Sequence, residues 1–148
     1  DMLSPENGID PYDTEWPIYA RTPTKPPLYT GPNAKVSHSM VTGGCEVYGT
    51  VENSVLFHSV QVEEGARVAY SILMPGTVVK AGAVVEYAII AENTVIGEQA
   101  HVGTSPDDQN DSEWGIAVVA QNLKVGRGAV VPAKAMITRN VKGDDKKC

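Results

Sequence analysis

From Val51 to Val102, one arrangement of apolar and polar positions recurs, opening at Val51, again at Val68 and again at Val85. The run Val51-Glu52-Asn53-Ser54-Val55-Leu56-Phe57 is echoed by Val68-Ala69-Tyr70-Ser71-Ile72-Leu73-Met74 and by Val85-Glu86-Tyr87-Ala88-Ile89-Ile90-Ala91. A second echo lies between them: Val60-Gln61-Val62-Glu63-Glu64-Gly65-Ala66, Thr77-Val78-Val79-Lys80-Ala81-Gly82-Ala83 and Thr94-Val95-Ile96-Gly97-Glu98-Gln99-Ala100. Inside each unit an aliphatic residue returns about every six positions, beside a small residue and a turn. Self-similarity at a fixed period is read before local propensity, because it dictates how successive units stack.

This pattern predicts an all-β chain, a left-handed parallel β-helix of hexapeptide repeats in which roughly 18 residues make one three-sided coil. The period here is one short of that, which makes one side of each coil tighter by a residue. Val, Ile and Leu then point inward and stack in ladders about 4.8 Å apart. The left hand is a property of the hexapeptide class and an exception to the usual right-handed crossover. The helix is expected over residues 36–142, opening after Asn33-Ala34-Lys35-Val36, with a charged tail at 143–148. Gly44-Cys45-Glu46-Val47 matches Gly65-Ala66-Arg67-Val68, which puts a coil before the regular array. On that alignment four extra residues precede Val51, so a bulge or an extra corner is expected near Tyr48-Gly49. Residues 103–113, Gly103-Thr104-Ser105-Pro106-Asp107-Asp108-Gln109-Asn110-Asp111-Ser112-Glu113, are polar turn-formers and read as a surface excursion. Trp114-Gly115-Ile116-Ala117-Val118-Val119 re-enters as a strand. Tyr70 and Tyr87, one period apart, are expected to stack on an outer face that contacts another domain or subunit.

Residues 1–35 do not repeat. Seven prolines there exclude long helices and central strands. Tyr12, Trp16, Ile18, Tyr19 and Tyr29 are too many large side chains for a solvated linker. The segment reads as an extended N-terminal arm packed on the helix or on a preceding domain, with Trp16 and Tyr19 in a short edge strand at the contact. A chain that opens on Asp1 is expected to be a piece of something larger, lacking its parent's active site.

Composition narrows the partners. Net charge is -6 and no basic block exists, so nucleic acid is a poor fit, phosphate neutralisation requiring clustered Lys and Arg. No apolar run approaches the roughly 20 residues of a membrane helix. Cys45 and Cys148 form no disulfide framework, which fits a cytoplasmic location; Cys45 reads as a buried small residue in the slot filled by Ala66 and Ala83.

Catalytic chemistry is sparse. His38, His58 and His101 lack metal-ligand spacing, and the acids of the 103–113 excursion lack the ordered pattern and central Gly of a calcium loop. No metal site is expected. A His in a cleft between subunits could serve an acyltransferase of the hexapeptide class, so a free-standing acyltransferase stays open beside a purely structural assembly module. The glycines recur at coil corners and do not open a phosphate-binding helix.

Together the arm and the coils resemble the C-terminal part of bacterial glucose-1-phosphate adenylyltransferase. The residues that carry the resemblance are Tyr12-Asp13-Thr14-Glu15-Trp16-Pro17-Ile18-Tyr19, Pro26-Pro27-Leu28-Tyr29, Gly44-Cys45-Glu46-Val47-Tyr48-Gly49, Ser54-Val55-Leu56-Phe57, Met74-Pro75 and Ser112-Glu113-Trp114-Gly115-Ile116. The resemblance implies a parent enzyme that makes ADP-glucose and pyrophosphate from ATP and glucose 1-phosphate, with Mg²⁺, for glycogen synthesis. Its catalytic domain would precede Asp1, so no catalytic residue carries over and no cofactor belongs to the fragment itself. The resemblance further implies packing on that domain, contacts within a homo- or heterotetramer, and a share in an allosteric site for a small anionic effector. The non-catalytic partner subunit of the same enzyme has this architecture too. Where some members carry arginines, this chain has Gln61, Glu86, Tyr87 and Glu92; Arg21, Lys35, Arg67 and Lys80 remain as candidate effector-binding cations.

Overall fold

The computed structural model describes residues 24–106 and 114–143. Six coils wind into a three-sided prism whose sides are three six-stranded sheets, parallel throughout. Side I stacks Tyr29–Thr30, Glu46–Val47, Gln61–Val62, Val78–Val79, Val95–Ile96 and Lys124–Val125. Side II stacks Lys35–Ser37, Thr50–Glu52, Arg67–Ala69, Val84–Glu86, His101–Val102 and Val130–Val131. Side III stacks Met40–Val41, Val55–Leu56, Ile72–Leu73, Ala88–Ile90, Ala117–Val119 and Met136–Ile137. The β-helix of hexapeptide repeats expected from the periodicity is therefore the fold. Its first strand is Tyr29–Thr30, paired with Glu46–Val47, earlier than the opening at residue 36 and inside the segment read as arm.

The strands are two or three residues long, most of them turning one large aliphatic side chain into a narrow lumen, with Ala88 and Ala117 adding a small one on side III. Val47, Val62, Val79, Ile96 and Val125 fill it from side I, Val51, Val68, Val85, Val102 and Val131 from side II, and Leu56, Leu73, Ile90, Val119 and Ile137 from side III. All are buried. The corners take small residues: Ala66, Ala83, Ala100 and Ala129 between sides I and II, and Cys45, Val60, Thr77 and Thr94 between sides III and I. Branched aliphatics suit such strands because their stiff χ1 fits a pleated, packed surface.

The corner between sides II and III is the tight one. Val62, Val68, Leu73 and Val79 point inward, and the step from Val68 to Leu73 is a residue shorter than the steps on either side of it, which accounts for the shortened period. Like the other two corners it turns on left-handed backbone, here at His38, Asn53, Tyr70 and Tyr87, with φ of 44°, 46°, 47° and 48°. That turn aims the next backbone N–H into the corner, and a serine hydroxyl of the preceding coil receives it. Ser54 N–H donates to Ser39 Oγ at 3.1 Å, Ser71 N–H to Ser54 Oγ at 3.2 Å, and Ala88 N–H to Ser71 Oγ at 3.2 Å. Each hydroxyl in turn donates to a carbonyl two residues back, on Ser37, Glu52 or Ala69, at 2.7 Å. Ser54 and Ser71 are buried, and this relay satisfies their polar atoms, as burial requires.

Two irregularities mark the array. The first sits at Tyr48-Gly49, where the sequence places it, but with the opposite sign. Glu46–Val47 pairs with Gln61–Val62 on side I, not with Arg67–Val68 on side II. The step from Glu46 to Gln61 is shorter by two than the step from Gln61 to Val78 that follows it. The corner is what lost them: Tyr48-Gly49 stands where the next coil has Glu63-Glu64-Gly65-Ala66, so no residue is inserted and no bulge forms. Gly49 makes this possible: a Cβ there would collide with the Ala66 carbonyl oxygen and lie 2.8 Å from that of Glu63. On this register Cys45 occupies the slot of Val60, Thr77 and Thr94, not that of Ala66 and Ala83. It is nevertheless fully buried, its thiol donating to the Phe57 carbonyl at 3.0 Å, and burial pushes its pKa up.

The second irregularity lengthens the coil between Ala88–Ile90 and its register partners, Ala117–Val119. The excursion leaves after Val102 at the tight corner and returns through Ile116. The strand proper begins at Ala117; Trp114 lies ahead of it, its indole N–H donating to the Thr104 carbonyl at 2.8 Å. That bond closes the base of the excursion.

Candidate functional site

With the interior filled by aliphatics, function falls to the three outer faces. Side II is ionic. Its outward column runs Lys35, Thr50, Arg67, Val84, His101, Val130, and its second column includes Glu52 and Glu86. Arg67 meets Glu52 at 3.1 Å and His101 Nε2 meets Glu86 Oε1 at 3.0 Å, each bond joining neighbouring coils. At the corner between sides I and II, Lys80 Nζ donates to Glu63 Oε1 at 2.6 Å, and the Ala81 N–H donates to the other carboxylate oxygen at 3.0 Å. The Lys80 hydrogen bond is the main reason that the Glu63 carboxyl sits below its ordinary pKa.

These pairings decide the standing of the candidate effector cations. Arg67 and Lys80 are each held by an acid one coil back. Lys35 shares the Arg67 column but stands two coils away, roughly 10 Å at the sheet spacing. These three cations are thus strung along the prism and not gathered into an anion cradle. Arg21 lies outside the described residues, as do Trp16 and Tyr19.

The three histidines fall on three different parts of the prism. His38 is at the tight corner, His58 at the corner between sides III and I, and His101 on side II. No group of three or more His, Cys, Asp or Glu among the described residues could hold a metal ion. No helix of the described residues is long and apolar enough to cross a membrane.

Tyr70 and Tyr87 are brought together as the repeat predicts. Their rings stack 4.8 Å apart at 11°, and Trp114 meets Tyr87 edge-on at 5.4 Å and 81°. Such pairs contribute about 0.5–1.5 kcal/mol beyond burial, which offsets part of the roughly 1–2 kcal/mol that left-handed backbone costs a non-glycine residue. The aromatic column edges side III, whose outward column is Met40, Val55, Ile72, Ile89, Val118 and Met136. All six are apolar. Sequence reasoning singled out the tyrosines and missed this column, although each strand announces it as an apolar doublet: Met40-Val41, Val55-Leu56, Ile72-Leu73, Ile89-Ile90, Val118-Val119, Met136-Ile137. A strand facing solvent on one side alternates; one covered on both sides reads as a continuous apolar run.

With the geometry in place, the comparisons with known proteins assign the chain. The model of the GlmU-like C-terminal hexapeptide family matches residues 28–119, and the chain belongs to that family. Among individual proteins it is similar to the glucose-1-phosphate adenylyltransferase of Acetivibrio thermocellus, 36% identical over 146 residues, which covers 95% of this chain and 33% of that protein. It is also similar to the enzymes of the same name from Clostridium novyi, 50% identical over 62 residues covering 42% of this chain and 16% of the relative, and from Clostridium perfringens strain SM101, 43% identical over 77 residues covering 52% and 20%. The chain therefore spans about a third or less of the length of these curated relatives.

Proposed function

We infer that the chain is the β-helix domain of a glucose-1-phosphate adenylyltransferase and serves assembly and regulation, not catalysis. The observation that carries this is the similarity to the Acetivibrio thermocellus enzyme, which runs through 95% of the chain yet accounts for only 33% of that enzyme. The catalytic chemistry, conversion of ATP and glucose 1-phosphate to ADP-glucose and pyrophosphate with Mg²⁺, then belongs to a nucleotidyltransferase domain preceding residue 1. Its partners are that domain and the other subunits of a homo- or heterotetramer, in the cytoplasm, within glycogen synthesis. The filled lumen and the outward ion pairs among the described residues fit a scaffold better than an active site.

Effector binding in this reading falls to Arg67, Lys80 and Lys35, with Arg21 from the arm. Because Arg67 and Lys80 already hold Glu52 and Glu63, a phosphorylated or carboxylated metabolite must displace a carboxylate to reach either. Anion affinity is then expected to be weak on this domain alone and tighter in an assembly that adds cations. The open reading frame tests the reading directly. A nucleotidyltransferase domain upstream of residue 1 and ADP-glucose synthesis by the whole protein are expected; calorimetric binding of acetyl coenzyme A to the 148-residue chain would replace this reading with an acyltransferase.

A further inference from the structure

Side I carries neither the ion pairs of side II nor the apolar column of side III, and its first coils stand apart from the later ones. Tyr29 opens its outward column, and Glu46 stands directly above Tyr29 in register. Tyr48 follows Val47 into the shortened corner, at the position where the next coil has Glu63. The Tyr29 and Tyr48 rings lie 5.7 Å apart between centroids, inclined at 52°, and remain 53% and 37% exposed. Gly31, one coil below Tyr48, gives that ring its seat: a Cβ there would lie 2.7 Å from Tyr48 Cδ1, so only glycine lets the ring settle against the backbone.

Glu46 also differs from the other acids of the prism. Glu52, Glu63, Glu86 and Glu98 each meet a basic side chain one coil away. Glu46 meets none among the described residues. Lys25 and Lys35, the described basic residues nearest to it in the chain, are placed elsewhere: the first against Gly44 at the corner between sides III and I, the second outward on side II. Burial chiefly holds the Tyr48 phenol above its ordinary pKa, and the Glu46 carboxylate adds to that, which puts its charge within electrostatic reach of the ring.

We propose that Tyr29, Tyr48 and Glu46 form a site for an alkylammonium cation, the charged group of a quaternary amine or of a lysine side chain. Three features point to a cation and not to a neutral apolar group. An aromatic face attracts cations within about 6 Å of its centroid, and rings 5.7 Å apart allow one cation to satisfy both. Glu46 supplies a negative charge that the fold leaves without a counter-charge. The net -6 of the chain further favours cations at such a carboxylate. An alkylammonium suits the site better than a metal ion, because its methyl or methylene groups cover ring carbon, whereas a divalent ion requires several oxygen ligands where one carboxylate stands.

This goes beyond the domain assignment above and does not rest on it. Nitrogen–proton correlation spectra of the 148-residue chain, titrated with choline chloride against sodium chloride of equal ionic strength, test it. Saturable shifts are expected at the amides of Tyr29, Glu46 and Tyr48, with a Kd on the order of 1–10 mM. The neutral alcohol in which carbon replaces the nitrogen of choline should bind at least about tenfold more weakly. Tyr48→Leu should weaken choline binding about three- to fivefold and Glu46→Gln about twofold, while Tyr48→Phe, which keeps the ring, should leave it nearly unchanged. Should Tyr48→Leu fail to fold, Tyr29→Leu, at the more exposed ring, reports the same loss. A capped Gly-Lys-Gly peptide separates the two sources: tighter binding than choline assigns the site to a lysine of a partner protein, weaker binding to a free quaternary amine. No saturation by about 50 mM with either ligand, an equal response to the neutral alcohol, or binding indifferent to both tyrosine-to-leucine changes would overturn the proposal.

Discussion

On side II the outward residues run Lys35, Thr50, Arg67, Val84, His101 and Val130; on side III they run Met40, Val55, Ile72, Ile89, Val118 and Met136. Beneath both, the lumen is filled alike by ladders of aliphatic residues, Val51, Val68, Val85, Val102 and Val131 on one side and Leu56, Leu73, Ile90, Val119 and Ile137 on the other. The inner columns must agree because they meet in one narrow core. The outer columns are free of that requirement, and they record what each face meets. On side II the charges are paired between coils at modest gain, since exposed ion pairs contribute about 0–1 kcal/mol. Side III carries a second apolar layer that a free scaffold has no use for.

Four experiments bear on this contrast. The largest effect is expected from Leu73→Ala, which empties the lumen under side III and should cost about 3 kcal/mol in urea denaturation. The neighbouring outward change Ile72→Ala should cost under about 1 kcal/mol in the isolated subunit. Near-equal losses would mean that the face is not outward at all. Next comes Ser71→Ala, at the corner where the two faces join. It leaves the Ala88 N–H without its acceptor and should cost about 1–3 kcal/mol, with faster amide exchange at Ala88 as the local signature.

The ion pairs should yield much less. Glu63, held below its ordinary pKa of 4.5 by Lys80, contributes stability that is present above about pH 4.5 and lost as pH falls through the lowered folded value. With its side chain 37% exposed, the contribution should stay under about 0.5 kcal/mol, and Lys80→Ala should flatten that acid limb of the stability profile. Smallest of all, Arg67→Ala should change stability by about 0.3 kcal/mol, an effect that fades at high salt. A larger loss would make the side II pairs more than solvated decoration.

The repeat made the fold legible because the inward residues are aliphatic and the corners hold small residues or turns. It failed at the first coil for a physical reason. Gly44-Cys45-Glu46-Val47 and Gly65-Ala66-Arg67-Val68 look alike, yet one turns the corner into side I and the other into side II. A prism with similar corners permits both alignments, and only strand pairing separates them. The ion pairs were hidden for a related reason. Glu52 and Arg67, like Glu63 and Lys80, stand a whole coil apart in the chain and become neighbours only after that coil closes. The side III column needed no contact to be seen. Its doublets break strand alternation six times, but the periodicity that reveals the helix also makes them look like ordinary repeat residues.

The corners that absorb two missing residues at Tyr48-Gly49 and a long excursion after Val102 leave all three strand registers intact. Length change in this protein is therefore a corner event. Insertions and deletions can accumulate there through descent while the sides keep their stacking, and the same property recommends the excursion between Val102 and Ala117 as a graft point. A foreign loop placed there would inherit a stapled base from Trp114 and Thr104 without asking the solenoid to refold around it.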